Sequence, residues 1–180
     1  MGLSGLGKYN RMPPYAHYAA YYRIGFGTPL LKKAFVQALM GINGVRDRIY
    51  TSISGLKGEV ACERFFCIYV ACGDKFRCLS SRLIKTVLNY LSTGADYLDF
   101  KVEVKYRYSS SSRRGHAWSD RFLVRTVFGI EVLRLLMIHV GGVYRTCFED
   151  LEDLIYSELV KTIRNMGFKP SIERIGGVPS

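Results

Sequence analysis

The chain has 180 residues and a mass of 20.4 kDa, enough for one domain, or one domain and an arm, with about 70% of the extended surface buried on folding. Its 26 basic and 15 acidic side chains give a net charge of +11 and a pI near 9.6, a balance that points to nucleic acid or an anionic membrane as partner and says nothing about fold. Five cysteines, odd in number and without C-x-x-C spacing, argue against a disulfide framework and a zinc site and read as buried thiols.

The first 46 residues contain Lys8, Arg11, Arg23, Lys32, Lys33 and Arg46 and no Asp or Glu. Tyr9, Tyr15, Tyr18, Tyr21 and Tyr22 lie between them, and Gly2, Gly5, Gly7, Pro13 and Pro14 oppose a long helix. Residues 1–28 are therefore expected to form an extended basic arm, its lysines and arginines suited to phosphates and its phenols to phosphate or sugar. The N-terminus is aromatic and polar where a secretory leader needs an apolar stretch, so no signal peptide is expected.

Thr28 and Pro29 read as the N-cap and first residue of a helix whose buried stripe is Leu31, Ala34, Phe35, Ala38, Leu39 and Ile42, stopped by Asn43 and Gly44. Residues 47–59 are mixed, with a turn around Gly55, Lys57 and Gly58. Residues 63–72 form an apolar run that periodicity leaves open between strand and helix. Ser80 or Ser81 caps an amphipathic helix through Leu83, Ile84, Val87, Leu88 and Leu91, ending near Gly94. Residues 98–108 alternate apolar and charged without a fault and predict a strand. Residues 109–115, with Arg113 and Arg114, read as a flexible basic loop.

From Trp118 the spacing of Phe122, Leu123, Val127, Phe128, Ile130 and Leu133 predicts a helix running to Val140, apolar on nearly all sides. Arg125, Glu131, Arg134 and His139 exclude it as a lipid-exposed span, and no transmembrane segment is expected. Thr146 and Glu149 predict a capping box for a last helix reaching Gly167, and residues 169–180 read as an extended tail. Five acids lie between Glu149 and Glu158, either as ordinary charge at a helix N-terminus or as a contact for a neighbour's basic surface. The expected fold is mainly α: about four core helices over residues 29–168, an N-terminal arm and a minor β element near 98–108.

For hydrolysis the candidates are Asp96, Asp99, Glu103 and Lys105, because two carboxylates on one strand can hold a divalent metal while a lysine aids an attacking water. These residues resemble the core of PD-(D/E)XK nucleases, and residues 96–145 loosely resemble the CRISPR-associated RecB-like exonucleases. That likeness implies an α+β alternative and a metal-dependent nuclease, or an inactive relic of one. The Asp–Glu separation is short, however, and the helical Gln-x-x-x-Tyr and four-cysteine iron–sulfur patterns of that group are missing. His17, His116 and His139 have no catalytic partner at a recognisable spacing, and no phosphate loop or dinucleotide fingerprint occurs, so neither a cofactor nor a resident metal is expected.

In overall plan, with its small size, its acid-free arm carrying Lys8, Arg11 and Arg23 and its apolar helices stopped by Gly or Asn, the chain resembles the nucleocapsid proteins of filamentous viruses of hyperthermophilic archaea, most nearly the tristromavirus type. The resemblance implies a structural, non-enzymatic virion protein, assembled in the host cytoplasm, that wraps double-stranded DNA and pairs with itself and a second related capsid protein. Lys8, Arg11, Tyr15, Tyr18, Arg23, Lys32, Lys33, Arg46, Arg113 and Arg114 would then contact nucleic acid without reading sequence. A cellular protein that binds nucleic acid non-specifically is the further alternative.

Overall fold

The computed structural model describes residues 5–52, 58–110, 113–114 and 118–179. In chain order the elements are strand β1 (Tyr18–Ile24), helix α1 (Thr28–Ile42), strands β2 (Arg46–Ser52), β3 (Glu59–Cys72) and β4 (Lys75–Cys78), helix α2 (Ser81–Ser92), strands β5 (Tyr97–Ser110), β6 (Arg113–Arg114), β7 (Trp118–Phe128) and β8 (Val132–Gly142), helix α3 (Phe148–Asn165) and strand β9 (Ile172–Pro179).

Seven strands form a curved antiparallel half-barrel in the order β2-β3-β5-β7-β8-β1-β9, with β4 added to β3 and β6 to β5. The described residues are 47% strand and 28% helix. The mainly α expectation is therefore wrong, and the largest single cause is residues 118–140, which form the hairpin β7–β8 in place of one helix. The Gly129 N–H donates to the Val132 carbonyl at 2.8 Å, closing a turn with Ile130 and Glu131 at its tip. Both strands are covered on both faces at many positions, as Val124 and Met137 on one side and Leu123 and Ile138 on the other show. Strands buried on two faces lose the apolar–polar alternation that marks them in sequence.

Strand β1 takes Tyr18, Ala20, Tyr22 and Ile24 into the core from within the stretch expected as an arm. It lies between β8 and β9, so within the stretch expected as an extended tail residues 172–179 form a paired edge strand. Residues 63–72, left open by the sequence, are strand, and β5 contains the expected 98–108 strand. The stretch expected as a loop carries β6, whose backbone pairs Ser109 with Arg114 and Ser110 with Arg113. His116, Gly55 and Lys57 lie outside the described residues.

Helix α1 lies along the concave face of the sheet. Leu31, Ala34, Phe35, Val36, Ala38, Leu39 and Ile42 are all 0% exposed, and Phe35 meets Phe100 of β5 and Phe128 of β7 edge-on. Gly27 is the N-cap, Pro29 sits in the first turn, and the Thr28 hydroxyl reaches the Gly129 carbonyl instead of capping. Helices α2 and α3 flank α1, each with one apolar stripe against the core. Cys147, not Thr146, caps α3, because the Thr146 side chain is used by a buried network described below.

Candidate nucleic-acid interface

Alternation along the strands sends every second side chain away from α1 to the convex face. On β5 Phe100, Val102, Val104 and Tyr106 point inward and are buried, so Asp99, Lys101, Glu103, Lys105 and Arg107 point outward. Cross-strand register then aligns neighbours on that face. Arg46 of β2 lies opposite Phe65 of β3, Phe65 opposite Lys105 of β5, and Lys105 opposite Ser119 of β7. The adjoining rows align Arg48, Glu63 and Arg107 on one side, and Cys67, Glu103 and Arg121 on the other.

The guanidinium of Arg46 sits 5.3 Å from the centre of the Phe65 ring. Arg46, Arg48, Lys105, Arg107 and Arg121 are all exposed, and the only acids aligned with them in these rows are Glu63 and Glu103. Glu103 accepts a hydrogen bond of 3.1 Å from the Tyr69 hydroxyl, and the five cations outnumber the two carboxylates, which leaves the patch net cationic. The backbone of β6 continues past it at the end of β5 and carries Arg113 and Arg114 there.

The concave side of β2 fixes these outward side chains. Buried Arg64 donates to both oxygens of Asp47 at 2.8 and 2.6 Å and to Asp150 of α3 at 3.0 Å. Arg145 donates to Thr51 Oγ1 at 3.0 Å and to the Ser52 carbonyl at 3.1 Å, with its guanidinium 4.6 Å from the Trp118 ring centre. Both ends of the edge strand are thus tied to the body of the molecule.

At the other end of these strands the N-terminal segment is wedged between the end of β3 and the start of β5. Leu6 is buried and bridges Cys72, the Gly7 N–H donates to the Ala71 carbonyl, and Asp99 pairs with Gly7 and Tyr9. By His17 the chain has crossed to β8, where the His17 N–H donates to the Met137 carbonyl. Leu123 and Ile138, whose register aims them at this side, are 7% and 3% exposed. The segment expected as a DNA-wrapping arm is thus docked on its own sheet.

The other residues singled out from the sequence lie apart. Lys8 is exposed, and Arg11 makes a loose surface ion pair with Asp74 at 3.6 Å. Tyr15 is exposed and stacks on His17, and Arg23 pairs with Glu173 at 2.9 Å. Tyr18 is 2% exposed and unavailable to a polyanion. Lys32 donates to the Leu91 carbonyl at the end of α2, and Lys33 joins it in lining an α1–α2 cleft of about 360 Å³. Arg46 belongs to the convex patch; Arg48, Arg107 and Arg121, which join it there, are not among the sequence-based candidates. Lys105 had been placed in the hydrolytic set. Their shared face follows from strand alternation, but which strands lie side by side does not.

The hydrolytic set is not assembled. Asp99 is 1% exposed and receives Arg125 Nε and Nη2 at 2.7 and 2.8 Å and the Tyr9 N–H at 2.9 Å. Glu103 lies four residues further along the strand, about 13 Å away by strand rise, whereas two ligands of one divalent ion sit within 2.6 Å of it. Asp96 is exposed beyond the start of β5, and Lys105 lies between Phe65 and Ser119. Among the described residues no group of three or more His, Cys, Asp or Glu is placed to hold a metal ion.

Two buried carboxylates serve the fold. Glu152 of α3 is 0% exposed and accepts hydrogen bonds from the hydroxyls of Tyr18 and Tyr22 and from Arg174. Burial first, and then the bond to Glu152, pushes the Tyr18 phenol up to about 12 and raises Tyr22 as well. Asp120 of β7, also 0% exposed, accepts from the Tyr106 hydroxyl at 2.5 Å and from the backbone N–H groups of Tyr144, Arg145 and Thr146 at 2.5, 2.7 and 3.2 Å. His139 Nε2 lies 3.2 Å from it. Burial alone would raise the Asp120 carboxyl, but the bonds from Tyr106 and these backbone groups outweigh it and hold the carboxyl below its ordinary value.

These pairings also place the acidic stretch of α3. Asp150 meets Arg64, Glu152 and Asp153 meet Arg174, and Glu158 meets Lys161, all within one chain. No helix of the described residues is long and apolar enough to cross a membrane. Comparison with family models, curated proteins and solved structures finds no match to the chain.

Proposed function

We propose that this protein is a non-catalytic binder of nucleic acid that grips the phosphate backbone, without reading sequence, through the convex face of β2, β3, β5 and β7. The observation that carries the reading is the alignment of Arg46, Phe65 and Lys105 across three strands, flanked by exposed Arg48, Arg107 and Arg121. Lysine and arginine on such a face release counterions from a polyanion, and affinity then depends steeply on salt. Among the described residues the face carries no arrangement that reads bases in a groove, which suits contact with phosphate and sugar alone.

The test is a salt titration of binding to mixed-sequence oligonucleotides by the parent and by the triple variant Arg46→Glu, Lys105→Glu, Arg121→Glu. The parent should lose affinity linearly in log salt, and the variant should bind at least 10³-fold more weakly with a shallower slope, since each lost phosphate contact lowers the slope by about 1. Equal binding by parent and variant would remove the convex face from the mechanism. Packaging double-stranded DNA into a filament, as the sequence resemblance implies, needs this binding and self-association as well. Electron microscopy of the protein with duplex DNA checks that step: regular particles add assembly to binding, and dispersed complexes leave binding alone.

A further inference from the structure

Resting on that reading, we infer that the ligand is single-stranded nucleic acid, held by base stacking on Tyr50 and on the Arg46–Phe65 pair as well as by charge. Tyr50 is 68% exposed on the convex side of β2, and the residue opposite it on β3 is Ala61, too small to cover the ring. Four residues back on the same strand face, about 13 Å by strand rise, the Arg46 guanidinium lies over Phe65 and presents a second flat surface. Arg48 and Glu63 occupy the position between. Aromatic rings and arginine planes interleaved with cations are what single strands require, because every base offers a π-face while the cations follow the backbone.

Two further features favour a single strand over a duplex. The sheet is bent around α1, so this face curves away from any straight rod; a stiff duplex touches it over a short length, whereas a flexible strand can follow it. In a duplex the base faces are also stacked on one another and closed to side chains. The platform is rigid before any ligand arrives, since Asp47, Thr51 and Ser52 are tied to Arg64 and Arg145. Ordering a bare tyrosine on a loose edge would consume much of what stacking returns.

The experiment is fluorescence anisotropy with a labelled mixed-sequence single strand and the matching duplex, at one salt concentration, for the parent, Tyr50→Ala and Tyr50→Phe. The parent should bind the single strand more tightly than the duplex. Tyr50→Ala should lose roughly tenfold in affinity for the single strand, the effect of one lost base stack, with its salt dependence unchanged, and Tyr50→Phe should bind as the parent does. Duplex binding equal to or tighter than single-strand binding, or an unchanged Tyr50→Ala, would overturn the single-strand inference while leaving phosphate-backbone binding standing. Failure to bind either oligonucleotide would sink the functional reading itself, and this inference with it.

Discussion

Asp99 and Arg125 stand directly opposite one another in the β5–β7 ladder, joined by two charge-assisted hydrogen bonds of 2.7 and 2.8 Å beneath the N-terminal segment. The carboxylate also accepts the Tyr9 N–H, and the Asp99 N–H donates to the Gly7 carbonyl, so one residue locks a strand pair and fastens the segment that crosses it.

Removing that carboxylate should loosen both. Asp99→Ala leaves a partly buried guanidinium without its partner and is expected to cost about 3 kcal/mol in urea unfolding. Limited proteolysis should then cut within residues 5–12 faster than in the parent, while oligonucleotide affinity stays the same. An unchanged denaturation midpoint would show that the pair adds nothing to stability.

The Glu152 cluster sets the alkaline limit. Its tyrosines have folded values above the ordinary phenol value of about 10, so their contribution is complete below that pH and is lost as pH rises through about 12 for Tyr18. Stability measured from pH 8 upward should fall steeply in the parent. Tyr18→Phe should be less stable at neutral pH, by about 1.5 kcal/mol for a lost bond to a charged acceptor, and should show a shallower alkaline decline. A decline of equal steepness would mean that Tyr18 ionises as readily folded as unfolded.

Asp120 works at the acid end. Its folded value lies below the unfolded one, so its stabilisation is present above the ordinary carboxyl range and is lost as pH falls through the depressed folded value. Asp120→Asn should destabilise the protein by about 3 kcal/mol at pH 7, because an amide cannot accept from Tyr106 and three backbone N–H groups as a carboxylate does. The gap between variant and parent should narrow on acidification, and a constant gap would refute the linkage.

Gly142 closes the same region. It has φ of +121°, and a side chain there would run into the Ser119 carbonyl and approach Asp120 Oδ1 to 2.6 Å. Gly142→Ala should therefore cost at least about 2 kcal/mol in thermal or urea unfolding. Gly44→Ala is the comparison: it also has positive φ but open space around it, so it should bear the conformational cost alone, about 1 kcal/mol.

Where local chemistry decided the structure, the sequence was enough. Pro29 and Asn43 bound α1, Ser80 caps α2 with its hydroxyl on the Leu83 N–H, and the alternation of residues 98–108 lies within β5. The charged outer side of that strand was legible for the same reason, since period two needs no knowledge of neighbours. Tertiary structure decided the rest. Tyr18 and Tyr22 look like arm residues until a carboxylate 130 or more positions away accepts their hydroxyls. Residues 118–140 look helical because burial on both sheet faces, Val124 and Met137 on one and Leu123 and Ile138 on the other, breaks the apolar–polar alternation. The convex patch exists only because β2, β3 and β5 lie side by side, and that order is set by long-range packing that charge and spacing along the chain do not encode.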